Sequence, residues 1–176
     1  NVNPEEMAAY ARAQGFRVHH GVAGDAALLK RLIAAGFPVI VETWFVTPDS
    51  GGMGHYRLLV GYDDKKGIFN AFDSYYGPKV TLRYGDFDGL WQVFNRTYLV
   101  VYTAKQAPKI EAILGERLNS RALWQLSLEL AREETQAQPS NAFAWFNLGT
   151  SLLRAGDAKG AARAFDRSRS LPLQRD

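Results

Sequence analysis

The stretch "HYRLLVGYDDKKGIFNAFDS", residues 55–74, does most to limit the folds open to this chain. Two runs rich in β-branched and aromatic residues flank a polar "DDKK" connection with a glycine near each end, which predicts a β-hairpin. Strand side chains alternate between two faces. His55, Arg57 and Leu59 therefore share one face, and Tyr56, Leu58 and Val60 the other. Setting Gly61 opposite Gly67 places His55 opposite Asp73. Directly opposed side chains hold their Cβ atoms about 4.5–5.5 Å apart, close enough for a carboxylate to meet an imidazole. A slip of one residue would put the two on opposite faces.

The flanking sequence supplies further strands and short helices. Asn3 caps a helix that starts at Pro4, Glu6 completes a capping box, and Gly15 ends it. "FRVHH" is a short extended piece. Asp25 caps a second helix, whose apolar stripe is Leu28, Leu29, Leu32 and Ile33, closed by Gly36 and Pro38. "PVIVETWF", "KVTLRY" and "TYLVVYT" read as strands, and "GDFDGLWQVF" as a short helix capped by Asp86. Two helices followed by mostly hairpin-linked strands predict an α+β domain with an antiparallel sheet over residues 1–104.

From about Lys105 the strand signal disappears and a repeat takes over. "ILGERL" at 113–118 recurs as "NLGTSL" at 147–152, so the two Leu-Gly pairs are 34 residues apart. In the later copy Trp145, Leu148, Gly149, Ala161 and Phe165 keep tetratricopeptide spacing. The spacing predicts helices over 142–154 and 158–170, with Trp145 largely buried against the helix containing Trp124. The earlier copy is degenerate, with Glu111 in place of Trp145 and Ala131 in place of Phe165. Residues 105–176 are thus expected to form all-α, tetratricopeptide-type hairpins that bind a protein partner. A plain helical hairpin is the other reading.

Composition narrows the function classes. Residues 1–104 carry ten Lys/Arg and ten Asp/Glu, and residues 105–176 carry eleven and eight. That mixed, mild excess is not the footprint of a nucleic-acid binder. No apolar run nears the roughly 18 residues of a membrane span, and "NVNPEEMAAY" is not a signal peptide. Opening at Asn1 rather than Met suggests a piece of a longer protein, so localisation stays open. The absence of cysteine excludes disulfides and Cys-ligated metal within these 176 residues.

The chemistry therefore centres on His55 and Asp73. An aspartate beside a histidine fixes its tautomer and favours the imidazolium once a proton is taken, which makes a general base and its orienter. Gly51, Gly52 and Gly54 leave the approach to His55 open. A structural His–Asp pair at a sheet edge is the competing reading. His19 and His20 are adjacent and point to opposite faces of any strand, so at most one of them could join His55 and Asp73 in a metal site, a minor alternative. No metal and no cofactor is expected. Glu42, in an apolar strand, reads as a site residue or an edge charge.

At this point the chain resembles a family. "AGFPVIVETWF", "GHYRLLVGYDD", "GIFNAFDS" and "FDGLWQVFNRTYLVVY" look like the later part of a papain-like cysteine peptidase domain of the bacterial double-glycine-leader (bacteriocin-processing) group and its C39-like relatives. The resemblance implies a partial papain-like fold over residues 1–104, with His55 as general base and Asp73 as its orienter. "FDS" stands where the family usually has "DP". It also implies a nucleophilic cysteine at a helix N-terminus, preceded by an oxyanion-hole glutamine, and neither occurs in this chain. The expected function is that of a cysteine peptidase-like protein acting on peptide or protein substrates, with its Cys upstream; this chain alone is then inactive. The alternative is a peptide-binding or scaffold protein on a degenerate peptidase fold. Relatives of such domains lean toward locations outside the bacterial cytoplasm.

Overall fold

The computed structural model describes residues 2–47 and 51–173. Its centre is a fully antiparallel six-stranded sheet in the order β1-β6-β2-β3-β4-β5. The strands are β1 (Arg17–Gly21), β2 (Val39–Thr47), β3 (Gly51–Asp63), β4 (Ile68–Asp73), β5 (Gly77–Arg83) and β6 (Tyr98–Tyr102). Helix α1 (Pro4–Ala13) carries the predicted Asn3–Glu6 capping box. Helix α2 (Ala26–Ala34) is capped by Asp25, whose carboxylate accepts from the Leu28 amide. The α+β class follows, with helices after the sheet.

One face of the sheet presents Val39, Val41, Leu59, Phe69 and Ala71, all fully buried. Leu28, Leu29 and Leu32 of α2 close over them. Phe87 and Trp91 of α3 (Tyr84–Gln92) and Ile110 and Leu114 of α4 (Ala107–Leu114) complete this cluster. The chain changes from strand to helix near residue 104, but this core runs on through α4. Helix α1 lies against the other face, where Tyr56 donates to the Val2 carbonyl and His20 meets Glu5. Helix α3 starts two residues before Asp86, which sits inside its first turn and caps nothing. Tertiary contacts set that start: the Tyr84 ring packs on Phe69, its amide donates to the Gly67 carbonyl and its hydroxyl to Asp64.

The hairpin differs from the expected register in an instructive way. Asp73 pairs with Arg57, not His55. A β-bulge between Leu59 and Gly61 leaves Val60 unpaired. Beyond the bulge Tyr62 pairs with Phe69; before it Leu59 pairs with Ala71, so residues three apart on β3 serve one face. The bulge thus corrects the parity that the turn alone would impose. Extending the Tyr62–Phe69 pairing without a break would have put Asp73 opposite Leu58, on the wrong face for His55.

Three longer helices follow: α5 (Ser120–Ala137), α6 (Ala142–Arg154) and α7 (Ala158–Ser170). The last two have the predicted bounds. Leu128, Ala131, Leu148 and Ala164 form their small core, with Trp145 partly buried and packed on it. The two Leu-Gly pairs have different structures. Gly149 is inside α6, and a Cβ there would lie 2.5 Å from the Phe165 ring. Gly115 has φ of 52°, ends α4 in a 3₁₀ turn (Gly115–Leu118) and faces open space. In the earlier copy the first helix, α4, is therefore cut short at Leu114 instead of running on through the Leu-Gly pair as α6 does. No helix among the described residues is long and apolar enough to cross a membrane.

This contrast predicts different substitution behaviour. Gly149→Ala should destabilise by about 1–3 kcal/mol through overpacking, and most of that loss should vanish in a Phe165→Leu background. Gly115→Ala should cost about 1–3 kcal/mol through positive-φ strain and be indifferent to Phe165→Leu. Urea unfolding of the single and double variants measures both. Equal coupling of the two glycines to Phe165 would contradict the packing described.

Candidate active site

His55, Arg57, Thr43 and Asp73 converge at the end of the core-facing surface, where β2, β3 and β4 run side by side. Thr43 pairs with His55, and Arg57 with Asp73. Asp73 is therefore the diagonal neighbour of His55, two residues from direct opposition. A two-residue offset preserves the face, so the expected pair still forms: His55 Nε2 lies 3.0 Å from Asp73 Oδ1. The alignment falls short of a hydrogen bond, leaving Nε2 buried and unbonded in this arrangement. Such contacts commonly tighten only when a reaction partner is bound. Among the described residues Nδ1 has no hydrogen-bond partner.

Asp73 is the most heavily engaged group. Its side chain is 0% exposed. Oδ1 accepts from the Tyr75 and Tyr76 amides at 2.7 and 2.9 Å. Oδ2 accepts from Arg57 Nε at 2.8 Å. Burial pushes the carboxyl pKa up, but the Tyr76 and Tyr75 amides and His55 outweigh it and hold the value down at about 2. Arg57 also donates to Thr43 Oγ1, and Thr43 donates to the His55 carbonyl at 3.3 Å. Asp73, Arg57, Thr43 and the His55 backbone are thus one connected network.

An aromatic wall limits His55 on its other side. The Phe45 ring stacks on the imidazole at 4.5 Å and 25°. Tyr75 and Tyr76 pack edge-on against Phe45 and are each 61% exposed. Asp73 thus orients both His55 and the turn that holds the two tyrosines.

The remaining sequence candidates lie elsewhere. Glu42 pairs with Tyr56 on the opposite face; burial raises its pKa, partly countered by Tyr56. His19 and His20 lie on β1, separated from β3 by β6 and β2. Sequence reasoning missed Arg57, although its signal was present: an arginine on the core-facing parity of an apolar strand needs a buried carboxylate. The stacking of Phe45 had no local signal, because it depends on the β2–β3 register.

Residues 3–100 match the peptidase C39 like family. No curated protein matches the chain. Among solved structures, a Bacillus anthracis protein described as a C39-like peptidase aligns with 49% of this chain and 51% of its own, at 16% identity and a TM-score of 0.39. The chain spans about half the length of that protein.

The Asp73 pKa gives a stability test. A depressed carboxyl pKa stabilises the fold above the unfolded value of about 4 and is lost as pH falls toward the folded value. Its contribution of about 2–3 kcal/mol at neutral pH should fade between pH 4 and 2. Asp73→Asn should therefore cost markedly more at pH 7 than at pH 2–3, as measured by urea unfolding. A pH-independent cost would mean that Asp73 is not held as an anion.

Proposed function

The chain belongs to the peptidase C39 like family over residues 3–100, and from that premise we propose that residues 1–104 are the later part of a papain-like cysteine peptidase domain. His55 is its general base and Asp73 the orienter. The observation that carries this reading is the 3.0 Å approach of His55 Nε2 to a buried Asp73, which leaves Nδ1 as the nitrogen free to take a proton. The 176 residues contain no cysteine, so the thiol comes from outside this chain. His55 takes the thiol proton, and the thiolate attacks a peptide carbonyl. The resulting imidazolium returns that proton to the leaving amine as the acyl-enzyme forms, and water then releases the acyl group. Asp73, anionic across the working pH range, favours the imidazolium stage.

Residues 105–176 are tetratricopeptide-type helices that engage a protein partner. The close packing of Gly149 on Phe165 supports that assignment. A second reading, peptide binding without cleavage, is favoured by one contact: Arg57 already matches the charge of Asp73 at 2.8 Å without help from His55.

The test uses the longer protein that contains this chain. Peptide hydrolysis sensitive to a thiol-directed inhibitor is expected. His55→Ala should lower kcat/KM by about 10²–10⁴-fold, and Asp73→Asn should also lower it. This chain by itself should show no inhibitor-sensitive turnover. If the longer protein binds peptides but does not cleave them, and His55→Ala leaves the affinity unchanged, the binding-only reading stands instead.

A further inference from the structure

A cavity of about 510 Å³ lies where α1 and β1 meet α5, remote from His55. Its charged lining is three arginines, Arg12, Arg117 and Arg154, against one carboxylate, Glu5. Over the whole chain cations and anions nearly balance, 21 to 18, so this excess is local. Glu5 is already engaged, 2.6 Å from His20 and 3.7 Å from Arg12. Arg117 is tied to the Ala23 carbonyl and to Asp25. Arg154 has no ion-pair partner among the described residues; its guanidinium lies over the Trp124 ring at 5.1 Å.

His19 is buried in the cavity wall, its Nε2 3.2 Å from the Tyr98 hydroxyl. Burial lowers its pKa first, and the neighbouring His20 and Arg117 lower it further, to about 4. An uncharged imidazole, the Trp124 ring and the unpaired Arg154 guanidinium around one opening suit a ligand with an anionic head and a flat body. Aromatic and guanidinium planes stack on such bodies, and guanidinium groups bind carboxylate or phosphoryl oxygens as charge-assisted donors.

We propose that this cavity binds a small organic anion, its carboxylate or phosphoryl group held by Arg154 and Arg12 and its planar body on Trp124. The site draws on both parts of the chain, α1 and β1 on one side and α5 and α6 on the other. It is independent of the peptidase reading.

The chain has three histidines, so NMR of the histidine rings and the Trp124 indole reads the cavity directly. Benzoate, phenyl phosphate and inorganic phosphate are titrated at constant ionic strength, with chloride as control. Saturable shifts are expected at His19, His20 and Trp124, with none at His55. Saturation by benzoate alone identifies a carboxylate ligand, and by the phosphates alone a phosphoryl ligand; saturation by all identifies a general anion site. Arg154→Gln, at an exposed position where folding is not at stake, should weaken binding about tenfold or more, with partial recovery in Arg154→Lys. Shifts linear in anion and no larger than those from chloride would overturn the proposal. So would saturable binding unaffected by both Arg154→Gln and Arg12→Gln.

Discussion

A buried carboxylate is tolerable only when its charge and lone pairs are matched, and the end of the sheet where β2, β3 and β4 run side by side is arranged around that requirement at Asp73. Two backbone amides, Arg57 and His55 surround it. Each partner in turn fixes something else. The amides shape the Tyr75–Tyr76 turn, Arg57 ties β3 to Thr43 on β2, and His55 is turned so that Nε2 faces inward. Loss of the carboxylate would leave Arg57 as an unpaired buried cation in the strand that carries His55. The pair is thus a joint between three strands as well as a chemical unit, and the two roles cannot be separated by inspecting His55 alone.

Arg57 modifies the expected logic of a base and its orienter. In an isolated His–Asp pair the carboxylate is the sole counter-charge for an imidazolium. Here a guanidinium already occupies the other oxygen. Asp73 is held firmly in place, but its pull on a proton at His55 is shared. Orientation is therefore the stronger part of its influence, and charge stabilisation the weaker.

The hairpin shows how much of this was legible in the sequence. Alternation placed His55, Arg57 and Leu59 on one face, and the turn glycines located the hairpin. The register came out two residues from the observed one: at the turn the strands pair three residues away from the Gly61–Gly67 setting, the bulge at Val60 takes one back, and neither feature is written in local propensity. An even offset kept Asp73 on the correct face, so the site was reached with the wrong partner directly opposite. In the helical part, Leu148-Gly149 and Leu114-Gly115 read alike because the dipeptide is the same. What separates them is the tertiary neighbour: Phe165 needs a bare backbone at Gly149, whereas Gly115 supplies a left-handed stop. Helix bounds for α6 and α7 were legible because the tetratricopeptide spacing fixes both helices; in the structure Asn141 and Asp157 cap their starts.

How the helices join the sheet bears on what they can do. Their own apolar cluster is small: Leu128, Ala131, Leu148 and Ala164, with Trp145 and Leu152 packed on it. The attachment is largely polar and converges on the turn after α3. Asn95 bonds Ser127, which also contacts Ser151 at 2.8 Å; Arg96 bridges Asp88 and Glu134; Asn147 donates to the Gln92 carbonyl. Asn95 and Arg96 both hold left-handed backbone, at φ of 52° and 47°, a conformation that costs free energy and persists only where surrounding contacts fix it. Phe143 adds one apolar contact, to Trp44 on β2, with ring centroids 5.5 Å apart. Directional bonds to a strained turn fix one relative orientation, where an apolar patch would permit sliding. Helices α5 to α7 are accordingly joined to the sheet domain by specific bonds at one turn, the turn that follows α3.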